Sequence, residues 1–166
     1  MIKEKFLEIV YDYQRDFLLD EEMSMEKIHY HLPEVKRFYE YFQMLDEDEF
    51  LLDPLKHLLA FFPENVVYTY MIELAKYFSN INKLEQAKKI IKQTLPIALI
   101  SDIYGLAEDC YTFTKDVEFS LYLFNKAIKK AKKQNNSSRL YMIKQTLEFL
   151  ARRSGEKKFL ELSEIL

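Results

Sequence analysis

Three histidines and one cysteine are the first places to look for chemistry in this chain. Glu22, Glu26 and His29 fall at i, i+4 and i+7, so a helix would align them on one face. Glu26-x-x-His29 is half of the Glu-x-x-His arrangement with which four-helix bundles hold a pair of metal ions between carboxylates. A complete site of that kind needs a second such motif and further glutamates, and His57 has no glutamate three residues before it. Continuity of a helix through Ser24 is also open. His29-Tyr30-His31 would bring alternate rings together only in extended backbone, which Leu32-Pro33 permits because the residue before proline is pushed out of the α region. Glu22, Glu26 and His29 are thus the metal candidates, set against the plainer reading of an acidic surface, and no cofactor is expected.

The other chemical signals are weaker. Cys110 lies between Asp109 and Tyr111 in a helical pattern, and nearby acids disfavour a thiolate, so a small core residue is expected rather than a nucleophile. A single cysteine also excludes an internal disulfide and an all-cysteine metal site. The sequence carries no glycine-rich phosphate loop and no nucleophile elbow. Lys126, Lys129, Lys130, Lys132, Lys133 and Arg139, with Arg152, Arg153, Lys157 and Lys158 further on, form a basic patch that could meet phosphate or an acidic partner. Nearby aromatics (Phe119, Tyr122, Phe124) follow the buried spacing instead of alternating with the lysines, as a base-stacking platform would require.

The elements that must position these residues are helices. With 166 residues the chain is long enough for one continuous core, and 49% apolar against 31% charged residues is a globular composition. Two glycines and four prolines are too few for a sheet-rich fold with tight turns. No segment sustains two-residue alternation between turn signals, so no strand is expected. The N-terminus alternates charges and offers no signal-peptide core, and no apolar run approaches the ~20 residues of a membrane span. A cytoplasmic location is expected on these grounds. The net charge of −3 conceals an asymmetry: residues 1–64 hold 16 acids and 7 bases, residues 65–166 hold 11 and 17. Opposite halves of that kind point to end-to-end attraction between chains, a possible homo-oligomer, to two surfaces with different partners, or to drift in solvated helix faces.

In chain order, Ile2–Leu19 places Phe6, Ile9, Val10, Tyr13 and Phe17 at helical spacing. Ser24 would cap a short helix to about Tyr30, and Pro33 would start Glu34–Leu45 with Val35, Phe38, Phe42 and Leu45 on one side. Asp46-Glu47-Asp48-Glu49 suits the positive end of a helix over Phe50–Phe62, which Asp53-Pro54 could restart. Then come Val66–Ser79 (Tyr70, Met71, Leu74, Ala75, Phe78) and Leu84–Leu95 (Leu84, Ala87, Ile90, Ile91, Leu95). Pro96 either kinks that helix or starts the next. Ser101–Lys133 reads as a helical hairpin with a polar joint at Thr114-Lys115-Asp116 and Ser101 as its cap. Small residues stand in it where two helices must approach, and Tyr104, Tyr111 and Phe124 fill the gaps. Asn135-Asn136-Ser137-Ser138 is a linker, Arg139–Arg153 follows with Leu140, Ile143, Leu147 and Leu150, and Ser154-Gly155 turns into Glu156–Ile165.

Laying Tyr68 on Ser101 sets Leu74 on Ala107, Phe78 on Tyr111, Ala87 on Ser120, Ile91 on Phe124 and Thr94 on Ala127, an offset of 33 residues. Here the chain resembles the tetratricopeptide repeat family, whose period is ~34 residues. Tyr68–Ile100 supplies Met71, Leu74-Ala75, Phe78, Ala87 and Ile91; Ser101–Lys133 supplies Tyr104, Ala107, Tyr111, Ser120, Phe124 and Ala127. A third unit from about Ser137 offers Leu140, Ile143 and Leu147 with its second helix out of register. Glu108 and Thr94 replace small residues of the pattern, and the turn glycine is absent.

The resemblance implies an all-α, right-handed superhelical stack of antiparallel hairpins, an α-α solenoid of about eight to nine helices. It would be a single domain: an acidic, irregular segment 1–64, then units near 68–100, 101–136 and 137–166. It further implies a concave groove for a peptide or protein, lined by Thr69, Ile72, Lys76 and Asn80, then Asp102, Gly105, Asp109, Thr112 and Phe113, then Tyr141, Gln145 and Glu148. Lys76 and Asn80 are only a fragment of the Lys/Asn/Arg cluster with which some members clamp a C-terminal carboxylate. Gly105 leaves room either for a ligand backbone or, as favoured, for close helix packing. The function expected is a non-catalytic scaffold or adaptor that binds protein or peptide. A regulatory or nucleic-acid-associated factor using the basic C-terminal half is the alternative, and a metal-dependent helical-bundle enzyme the third.

Overall fold

The computed structural model describes residues 2–18 and 33–166. The short helix expected near Ser24–Tyr30 and the metal candidates Glu22, Glu26 and His29 lie outside the described residues. The described chain is all helical, with ten α-helices and no strand. Ten replaces the expected eight to nine because Phe50–Phe62 is divided at Asp53. Two compact units result, Met1–Ile97 and Ala98–Leu166. Among the described residues no helix is long and apolar enough to cross a membrane.

The first unit holds α1 (Ile2–Leu18), α2 (Pro33–Met44), α3 (Glu47–Leu52), α4 (Pro54–Leu59), α5 (Glu64–Asn80) and α6 (Leu84–Thr94). Asp46 caps α3 by accepting the Asp48 N–H at 3.1 Å, and Asp53 caps α4 by accepting that of Lys56 at 3.1 Å. Pro54, its ring fixing φ and lacking an N–H, opens α4. Aromatic rings fill the core between these short elements: Phe38 stacks on Phe42 at 5.3 Å, and Phe50 lies 4.7 Å from Phe42 and 5.2 Å from Phe6. Such rings bury much area per residue, so brief helices still close a core. On α1 the buried face is Phe6, Leu7, Val10, Tyr11 and Gln14, rotated from the expected Ile9 and Tyr13, which are half-buried. Gln14 Nε2 donates to the buried Tyr70 hydroxyl, which gives the rotation its reason. Pro96 lies in the 3₁₀ turn Leu95–Ile97 that ends α6.

The second unit holds α7 (Ile100–Thr114), α8 (Val117–Lys133), α9 (Ser137–Ser154) and α10 (Lys157–Glu164). The small residues do what the spacing predicts: Ala107, Ser120 and Ala127 are fully buried, and the Ser120 hydroxyl donates to the Ala107 carbonyl at 2.7 Å. Helices α9 and α10 form a second hairpin, with α9 against both α7 and α8. Phe159 of α10 meets Tyr111 edge-on at 5.0 Å and Phe124 at 6.1 Å.

Among the described residues, four inter-helix turns pass through a left-handed residue: Asn82 (φ 60°), Lys115 (58°), Asn135 (50°) and Gly155 (72°). Lys83 N–H donates to Phe78 O and Asn136 N–H to Ala131 O, both at 2.9 Å, the reach-back that satisfies orphan carbonyls at a helix end. Asparagine, which tolerates this conformation, takes it at two of the turns.

Several local expectations are corrected. Leu99 rather than Ser101 caps α7, its N–H donating to Asp102 Oδ2 at 3.0 Å. Ser137 and Ser138 belong to α9, whose cap is Asn136 accepting the Arg139 N–H at 3.0 Å. Leu84 and Leu160 are exposed because Ala87 and Ser163 occupy the buried line of their helices, and Ile165 is exposed beyond the end of α10.

Candidate functional site

Of the three histidines and the cysteine, the structure describes His57 and Cys110. His57 is buried, its Nδ1 2.9 Å from the Tyr41 hydroxyl and its ring 6.0 Å from Phe50. Cys110 is half-buried rather than a core residue, since the line facing α8 runs through Ile103 and Ala107. Among the described residues no three His, Cys, Asp or Glu side chains lie close enough to share a metal ion.

The groove residues divide between the units. In the first, Thr69 donates to Asn65 O at 3.3 Å, Ile72 is half-buried, Lys76 pairs with Glu73 at 2.9 Å, and Asn80 is the exposed last residue of α5. In the second, α7 carries Asp102, Gly105, Asp109, Thr112 and Phe113, and α9 carries Tyr141, Gln145 and Glu148. Helices α7 and α9 lie side by side, with Arg139 Nη1 donating to the Tyr104 hydroxyl at 3.3 Å. Asp102 is occupied as a cap, and Glu148 pairs with Arg152 at 3.7 Å. Asp109, Phe113, Tyr141 and Gln145 reach solvent.

Gly105 is a correction. A Cβ built there meets no atom within 4 Å, so close packing does not require the glycine. It opens on free space in the middle of α7.

Aromatic exposure distinguishes this pair of helices. Phe113 is 82% exposed, Tyr141 62% and Phe149 51%. Phe149 is absent from the residues that the resemblance supplies, yet it stands 36 positions after Phe113, the same step that separates Ser101 from Ser137. At the C-terminal ends of the two helices a cavity of about 90 Å³ opens, lined by Tyr111, Thr112, Lys115, Leu150, Arg153 and Ser154.

The basic patch has local explanations. Lys130, Lys132 and Lys133 occupy the last turn of α8, where positive charge meets the negative end of the helix dipole. Lys130 Nζ donates to the Ala98 carbonyl, Arg139 is held by Tyr104, and Lys126 lies 5.2 Å over the Tyr122 ring. Lys129, Lys132 and Lys133 remain exposed.

No family model matches the chain, and neither a curated protein nor a solved structure matches it. The class that the fold defines is an all-α chain whose second unit is built of two packed helical hairpins.

Proposed function

We propose that the chain is a non-catalytic protein- or peptide-binding module, its hairpins following the right-handed superhelical stack of tetratricopeptide-like proteins. The observation that supports this reading is the exposure of Phe113, Tyr141 and Phe149 on the adjacent helices α7 and α9. Large aromatics left in solvent on neighbouring helices supply contact area at little conformational cost, and such residues are enriched at protein interfaces. The glycine at position 105 adds open space on the same helix. An extended peptide or a partner helix laid along α7 and α9 would cover all three rings.

The test is affinity purification from the native host after nuclease treatment, followed by mass spectrometry. The same proteins are expected with the wild-type chain in replicate and absent from a Phe113→Ser/Tyr141→Ser/Phe149→Ser variant that keeps its helical circular dichroism. A variant that retains every partner overturns the α7/α9 surface. Retention that disappears with nuclease moves the function to the basic residues of α8.

A further inference from the structure

Resting on the peptide-binding reading, we infer that the cavity between the ends of α7 and α9 is a subsite for an aspartate or glutamate side chain within a partner's acidic segment. Its walls join two kinds of group. Leu150 and Tyr111 bring apolar surface, whereas Lys115, Arg153 and Thr112 carry donors. Neither Lys115 nor Arg153 has a carboxylate within 4.0 Å among the described residues, although the neighbouring Arg152 and Lys158 pair with Glu148 and Glu118. The Thr112 hydroxyl makes no hydrogen bond there either, unlike Thr114, which donates to Cys110 O. Two cations without a carboxylate partner and a hydroxyl on residues lining one hollow suit an anion. A volume of about 90 Å³ is ample for a carboxylate group.

The backbone supplies a second, independent reason. Of the four left-handed turn residues, two are asparagine and one is glycine, the types that tolerate φ near +60°. The fourth, Lys115, is the one that lines the cavity. Its ammonium lies 5.1 Å over the Tyr111 ring, which holds the long side chain at the wall instead of in solvent. A lysine held at a position that favours glycine is consistent with a use for its side chain there.

The surroundings fix the kind of partner. The unit Ala98–Leu166 has 12 Lys and Arg against 9 Asp and Glu, so it attracts an acidic chain. Phe113 follows Thr112 of the lining on α7, Phe149 precedes Leu150 on α9, and both rings are exposed. Exposed rings on both helices suit a chain that continues past the anion rather than one that ends at it.

The experiment is selection of a displayed library of random dodecapeptides against the full chain, followed by titration of synthetic copies. Selected peptides are expected to share an internal Asp or Glu beside an aliphatic or aromatic residue, and to bind equally with free or amidated C-termini. Lys115→Gly and Arg153→Gln are each expected to weaken binding by about tenfold, the size of one charge-assisted contact. Lys115→Gly should unfold at a temperature no lower than the wild type, which separates lost binding from lost folding. Peptides without an acidic residue, or bound equally by both variants, overturn the subsite and leave the peptide-binding reading intact. Peptides that need a free C-terminus, or that a uridine oligonucleotide displaces from the cavity, reassign it and overturn the proposal. A folded chain that selects no peptide counts against both readings.

Discussion

Replacing Gly105 by alanine tests the structure of α7 and the openness of its outer face in one step. Glycine in a helix interior is less favourable than alanine by about 0.8–1.0 kcal/mol, because its backbone loses more freedom on folding. Position 105 is the sixth of the fifteen residues of Ile100–Thr114, well clear of both ends. The new methyl group meets nothing within 4 Å, so it neither clashes nor gains packing. The helix-propensity term stands alone, and Gly105→Ala should stabilise by about 1 kcal/mol. For a chain of this size that raises the melting temperature by about 2–4 °C. Urea titration followed by circular dichroism at the helical band measures it, with an unchanged slope expected. Destabilisation by Gly105→Ala would refute the reasoning, since it would require a neighbour against that face. If the space serves a ligand, Gly105→Trp should keep the stability near wild type and lose the partner.

Other substitutions probe the core and the turns by the same denaturation. Phe159→Ala removes a fully buried ring that touches Tyr111 and Phe124, and should cost about 3–5 kcal/mol. Ser120→Ala deletes the bond to the Ala107 carbonyl at the closest approach of α7 and α8, for a loss of about 1 kcal/mol. Ser120→Leu should cost more, about 1–3 kcal/mol, by forcing the two helices apart. Lys115→Gly relieves a left-handed backbone worth roughly 1–2 kcal/mol and forfeits the contact with Tyr111, so a net gain below about 1 kcal/mol is expected. Burial pushes the Tyr70 phenol well above its ordinary range, although the hydrogen bond from Gln14 acts the other way. The unfolded chain then releases this proton at about pH 10 while the folded chain keeps it, so stability present below pH ~10 falls as the pH rises beyond. Tyr70→Phe should flatten that decline.

Much of the helical frame was legible from spacing and punctuation. Leu74, Phe78, Ala87 and Ile91 marked one hairpin, and Ala107, Ser120, Phe124 and Ala127 the other, because a helix against a helix demands apolar residues every third or fourth place. The chain turns at Lys115-Asp116 and at Gly155-Glu156, directly after Thr114 and Ser154, close to where the polar stretches predict it. Less was legible where hydrogen bonds between distant residues decide the outcome. Gln14 is buried on α1 only because Tyr70, 56 residues later, offers a partner, and helical periodicity cannot see that. The capping of α7 by Asp102 was likewise hidden, since Ser101 is the better cap by type and the backbone begins its turn at Leu99. The glycine at 105 looked like a packing residue, yet only coordinates tell whether a Cβ has a neighbour. For the candidate surface, the resemblance supplied Thr112, Phe113 and Tyr141, while Phe149 needed the 36-residue step between unit starts. The cavity at the helix ends joins residues about 40 positions apart, and only the packing of α9 on α7 brings them together.

Hydrogen–deuterium exchange of the chain alone and in complex with its captured partner addresses the binding surface most directly. Slowed exchange is expected in α7 around residues 105–115 and in α9 around residues 141–154, with α8 unchanged. Protection confined to α8, or no protection anywhere while the partner is bound, would contradict the account.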